Sequence, residues 1–203
     1  MGFQVKKSIG RIAAALALAA LAVPAGAQTY SEGYQFLKAV REKDPDKVNA
    51  LVSSSPTVLL NIRDQAAGEG ALHYVTRDRE LTWLTFLLGK GARADIQNNK
   101  GETPLSLATQ IGWIEGARAL LARGATPDLG NQRGETPLMI AVQNRDLAMV
   151  QLLLSKGANP NKTDRVSGYS ALEYAKRDSR SAAILKALSE KAAPAKPAAG
   201  PKP

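Results

Sequence analysis

Apolar positions through the middle of the chain come in pairs of short bursts. Leu105, Leu107 and Ala108 form the first burst, Gln110 to Gly112 interrupt it, and Ile114, Ala117, Leu120 and Leu121 form the second. Each burst lies on one side of a helix, so the pattern predicts a short helix, a tight turn and a second helix. Thr103 before Pro104 is a start signal: the threonine caps free N–H groups and proline fits the first helical position. Gly124 is a stop signal, because glycine enters the left-handed conformation that ends many helices. "TPDLGNQRG" has no helical period and reads as a turn-rich connector.

The same order then begins again. "GETPL" starts at Gly101 and at Gly134, 33 residues apart. One step back, a unit opens at Gly68, and one step forward another opens at Gly168. In that register Leu72, Leu105, Leu138 and Leu172 align, as do Ala108, Ala141 and Ala175. The pairs Leu87-Leu88, Leu120-Leu121 and Leu153-Leu154 align too, followed by Gly91-Ala92, Gly124-Ala125 and Gly157-Ala158. A helix pair this small cannot bury its apolar side alone, whereas stacked pairs bury it against each other.

With Thr-Pro-Leu, a closing Gly-Ala and a period of 33, the units resemble the ankyrin repeat. The resemblance runs from about Gly33 to Lys191. It implies an all-α solenoid of about five helix-loop-helix repeats with β-hairpin-like finger loops. The repeats fall at about 33–67, 68–100, 101–133, 134–167 and 168–191. The first, with Leu37, Val40, Val48, Leu51 and Val52 but no Thr-Pro, and the last, with Ser-Ala for Thr-Pro and no Gly-Ala, read as caps. Such modules bind partners with the fingers and the exposed, concave side of the first helix. The finger positions here are Asn99, Lys100 and Glu102; Gln132, Arg133 and Glu135; and Val166, Ser167 and Tyr169. The first-helix positions are Arg77, Asp78, Gln110, Ile111, Gln143, Asn144, Arg177 and Asp178. These residues change between units while the Leu, Ala and Gly frame does not.

The N-terminus reads differently. Lys6, Lys7 and Arg11 precede an apolar run from Ile12 to Val23, then Pro24 and "AGA". A basic start, a short apolar run and small residues describe a secretory signal peptide over residues 1–27, cut after Ala27. A membrane anchor needs a longer apolar run, about 20 residues. With no Arg-Arg pair, general secretion is expected. The chain lacks cysteine, which rules out disulfides, thiol catalysis and lipidation on cysteine, and suits an oxidising compartment. The periplasm is the expected address, with full secretion as the alternative, and no stable membrane insertion after cleavage. The formal charge is +9; without residues 1–27 there remain 24 bases against 18 acids, a net +6. Export makes nucleic acid a poor partner for that charge. "AAPAKPAAGPKP", over residues 192–203, has too few large apolar residues to build a core and is expected to be an extended tail.

Little in the sequence points to catalysis. His73 is the only histidine and reads as a turn-stabilising residue of its unit. With no cysteine and no second histidine, no metal site or cofactor is expected. Glu102 and Glu135 could form a pair of acids, but beside their loop glycines they are expected to be exposed. "GKGARAD" lacks the Gly-Lys-Ser/Thr ending of a phosphate loop. Trp83 falls on a second helix and is expected in the core. Trp113 follows Gly112 in the loop between helices and is a candidate exposed contact. The functional expectation is therefore a monomeric, non-enzymatic module holding a protein partner in the bacterial envelope. The alternatives are an accessory factor or inhibitor for a periplasmic enzyme or toxin, and a binder of anionic envelope polymer or lipid.

Overall fold

Thr-Pro starts helices at both sites. Thr103 Oγ1 accepts the N–H of Ser106 at 3.1 Å, and Thr136 Oγ1 accepts that of Met139 at 3.3 Å, with Pro104 and Pro137 at the helix starts. Ser170 caps the last unit in the same way through Glu173 N–H. Gly70, at the matching place in the second unit, has no side chain to offer. There His73 Nδ1 instead accepts the Gly70 N–H at 3.2 Å.

The computed structural model describes residues 25–54 and 56–192. Their helices are α1 (Ala25–Arg41), α2 (Pro45–Ser54), α3 (Pro56–Leu60), α4 (Ala71–Arg77), α5 (Leu81–Gly89), α6 (Pro104–Gln110), α7 (Ile114–Ala122), α8 (Pro137–Gln143), α9 (Leu147–Ser155), α10 (Ala171–Arg177) and α11 (Ala182–Ala192). Residues 25–27 of the expected export segment lie in α1. The rest of that segment, and the tail beyond residue 192, lie outside the described residues.

Helices pair with the next in chain: α4 with α5, α6 with α7, α8 with α9, and α10 with α11. The pairs then stack. First helices form one row, α1 on α4, α4 on α6, α6 on α8 and α8 on α10. Second helices form another, α5 on α7, α7 on α9 and α9 on α11. The core runs along the seam as a continuous file containing Leu72, Leu84, Leu105, Leu120, Leu138 and Leu153, all fully or almost fully buried. Burying each such side chain is worth about 1.5–3 kcal/mol, so stability accumulates from pair to pair. Trp83 departs from expectation: it is half-buried on the flank of this core, edge-on to Phe86 with ring centroids 5.5 Å apart. Neighbouring pairs place the smaller Gly116 and Met149 at that position, and both are buried.

The connectors fold as narrow hairpins. Asp64 N–H bonds the Glu69 carbonyl, Asn98 that of Glu102, Asn131 that of Glu135 and Asp164 that of Tyr169, at 2.9 to 3.1 Å. Successive hairpins are also joined through the backbone: Asn99 N–H to Ala67 O, Gln132 N–H to Lys100 O, and Arg165 N–H to Arg133 O, at 2.8 to 3.0 Å. This joint explains the glycine of "GETPL". Gly101 and Gly134 have φ of +75° and +79°, and a Cβ on either would press into the next hairpin's backbone, against Gln132 N or Arg165 N. Only glycine suits both the backbone conformation and the close approach.

Candidate functional site

A groove lies between the fingers and the first helices of the N-terminal units. At its N-terminal end is a recess of about 730 Å³, walled by Tyr34, Lys38 and Arg41 of α1, the Asp64–Ala67 loop, and Tyr74, Arg77 and Asp78. A second recess of about 470 Å³ continues from it, sharing Glu69 and Arg77 and ending on Asn98 to Lys100, Glu102, Leu107 and Gln110. Of the expected partner-facing residues, the groove therefore gathers Arg77, Asp78, Asn99, Lys100, Glu102 and Gln110. Gln132, Arg133, Gln143 and Asn144 lie further along the array and are exposed.

Trp113 is a correction. It is only 5 % exposed. Its ring lies over Gly116, where an added methyl group would collide with ring atoms Cε3, Cζ3 and Cδ2. The loop position before α7 therefore turns the indole inward. Glycine one helical turn later leaves the slot for it, and that pair was the signal available in the sequence. Trp113 is a core residue, not a contact residue.

Glu102 and Glu135 are a second correction. Both are half-buried, and each closes its own finger. Asn98 Nδ2 donates to Glu102 Oε2 at 2.8 Å and Asn131 Nδ2 to Glu135 Oε2 at 2.9 Å. In three units the residue after the finger glycine also meets the end of the first helix eight residues on. Both terminal guanidinium nitrogens of Arg77 clasp the Glu69 carboxylate, Gln110 Nε2 reaches Glu102 Oε1 at 3.3 Å, and Arg177 donates to Tyr169 Oη at 2.7 Å while lying over its ring. Several residues that differ between units thus differ in matched pairs. The Arg77 bond, ahead of the opposing cost of burial, holds the Glu69 carboxyl below its usual range.

The amides serve the scaffold too. Asn99 Nδ2 lies 3.4 Å from the Ala66 carbonyl, Gln132 Nε2 donates to Asn99 O at 2.8 Å, and Asn144 Nδ2 reaches the Thr109 and Gln110 carbonyls. Ile111 is half-buried, and its carbonyl takes the Arg79 guanidinium. Asp178 holds Arg145 of the preceding unit at 2.6 Å, with Arg180 and Ser181. Its pKa falls to about 2, led by the Arg180 N–H bond and then by Arg145.

The outer fingers differ from the inner ones for a chemical reason. Asp64 and Asp164 open loops one residue longer than Asn98 and Asn131. Asp164 accepts N–H groups of Val166, Ser167 and Gly168, the Ser167 hydroxyl and the Tyr174 hydroxyl. Asp64 likewise accepts Ala67 and Gly68 N–H and the Tyr74 hydroxyl. These sites present only donors and so call for a carboxylate. Asn98 and Asn131 face both N–H groups and a glutamate, and need an amide. Burial opposes ionisation of Asp164, but the Ser167 and Tyr174 hydroxyls and the loop N–H groups outweigh it and hold the carboxyl well below the usual range. Tyr74 and Arg41, whose guanidinium lies 4.0 Å from the Tyr74 ring centroid, are groove residues that the repeat alignment did not single out. The aromatic at a position held by Leu107 and Ile140 in the next units was the available signal.

His73 is buried and sits as a turn residue. Nδ1 accepts the Gly70 N–H, so Nε2 carries the proton and donates to the Glu102 carbonyl at 3.0 Å. Burial, ahead of weaker opposing effects, lowers its pKa. Among the described residues no cluster of three or more His, Asp or Glu could hold a metal ion, and no helix is long and apolar enough to cross a membrane.

Stacked helix pairs joined by bonded hairpins define the class of helical repeat solenoids. A family model described as "Ankyrin repeats (3 copies)" matches residues 36–131, 72–164 and 115–197. The chain belongs to the ankyrin-repeat family, a family of protein-protein interaction modules.

Proposed function

We propose that the chain is an exported, non-enzymatic module that holds a protein partner in the bacterial envelope, through its finger tips and the groove beside them. The supporting observation is the groove itself: two connected recesses beside a regular frame, walled by side chains that change from one unit to the next. Export rests on the basic, apolar and small-residue sequence of residues 1–27.

The test is co-purification of the tagged chain from native envelope extract, with Arg133→Glu combined with Gln143→Ala as the challenge. Both residues are exposed, so folding should persist while the captured partner is lost. Unchanged capture by the folded variant would mean the face is wrongly placed. Recovery of the chain in the cytoplasmic fraction would remove the envelope from the proposal.

A further inference from the structure

The finger edge turns its acids inward and several of its bases outward. Asp64, Glu69, Glu102, Glu135 and Asp164 are held as described above. Asp95 and Asp128 are held too: Asp95 accepts Thr126 N–H and hydroxyl, and Asp128 accepts Asn159 N–H, each fastening one repeat to the next. By contrast, Lys100 and Arg165 have no carboxylate partner among the described residues, and Arg133 has only a 3.8 Å approach to Glu135. All three are exposed. The inter-finger backbone bonds place them on consecutive fingers, with Gln132 bonded to Lys100 and Arg165 to Arg133. Beside this row the helices α6, "PLSLATQ", and α8, "PLMIAVQ", carry no charge at all.

We infer that the groove takes an acidic polypeptide segment, with carboxylates against Lys100, Arg133 and Arg165 and uncharged residues along α6 and α8. This rests on the reading of the groove as a protein-binding surface and specifies the chemistry of what it binds. Rim charges of this kind steer association and select partners, and salt weakens their pull. The recess that ends on Lys100, Leu107 and Gln110 favours a chain that can enter it over a flat lipid surface, which would meet the finger tips alone.

The test uses the whole chain and a fluorescein-labelled peptide alternating glutamate and leucine, followed by fluorescence anisotropy. The comparison ligands are the same peptide with glutamine for glutamate, and vesicles of phosphatidylglycerol in phosphatidylcholine. Two triple variants make equal changes of net charge on different faces: Lys100→Glu/Arg133→Glu/Arg165→Glu on the fingers, and Lys156→Glu/Lys186→Glu/Lys191→Glu on and beside the last second helices. The glutamate peptide should bind and the glutamine peptide should not. The finger triple should weaken binding roughly tenfold or more, about 1.4 kcal/mol, and the other triple should change it less than about twofold. Thermal melting must show both triples folded; a finger triple that does not fold is replaced by Arg133→Glu alone, whose loss must still exceed that of Lys186→Glu. Equal losses in the two triples would overturn the inference, reducing binding to diffuse attraction by net charge. Vesicle binding without peptide binding would also overturn it. If the peptide fails while the native partner is still captured through Arg133 and Gln143, the acidic ligand is wrong and the protein-binding surface stands.

Discussion

Replacing Gly116 by alanine should destabilise the protein, although the same change in an open helix would do the opposite. Glycine in an exposed helix interior is worse than alanine by up to about 1 kcal/mol, so propensity alone predicts a gain. The Trp113 ring occupies the space the methyl group would need, and overpacking of this kind costs about 1–3 kcal/mol. Trp113→Ala removes a side chain that is almost wholly buried, at a cost of about 3–5 kcal/mol. In the double variant the new methyl group enters the space vacated by the indole, so the two losses should fall short of their sum by about 1–3 kcal/mol. Urea titration followed by helical circular dichroism reads all four corners of the cycle. With a slope of about 1–3 kcal/mol per molar urea, Trp113→Ala alone moves the midpoint by more than about 1 M. A stabilised Gly116→Ala, a loss below about 0.5 kcal/mol for Trp113→Ala, and simple additivity would together place the indole in solvent and refute its burial.

Two further outcomes are expected. Leu138→Ala, at a fully buried position between neighbouring first helices, should cost about 2–5 kcal/mol in the same titration, against little change for exposed Gln143→Ala; a loss below half a unit would mean the repeat register is misassigned. His73 is neutral in the fold and its pKa is lowered from 6.5, so the unfolded chain binds more protons just below that value. The stability due to keeping it neutral is complete above pH 6.5 and is lost as pH falls toward the folded pKa. His73→Leu should lower stability throughout and flatten the urea midpoint across that window; since this is the only histidine, a persisting slope there would reject the assignment.

The frame was legible because each framing position has a local cause. Thr103 and Thr136 cap, Pro104 and Pro137 start helices, Gly124 stops one, and the leucine spacing names the buried side. The surface was less legible because its partners are far apart in sequence. Glu102 reads as solvated until Asn98 and Gln110 are seen around it, and the matched pairs Glu69–Arg77 and Tyr169–Arg177 need an eight-residue comparison across a turn and a helix. A loop position says nothing of which way the Trp113 ring points, whereas Gly116 beyond it does. Tyr34, 67 % exposed on α1, is not marked by the repeat pattern, because the first unit lacks the Thr-Pro anchor that aligns the others.

The joint between neighbouring fingers uses main-chain groups and a glycine, and it is the same on both sides of the unit from Gly101 to Arg133. A second copy of that stretch spliced in tandem would find a matching donor, acceptor and cavity at each new boundary, so the array has the chemistry of a chain that lengthens by whole links. The outer fingers punctuate it: where aspartate and tyrosine replace asparagine and an aliphatic residue, the loop gains one residue, and those two sites mark off the regular links from the ends of the array.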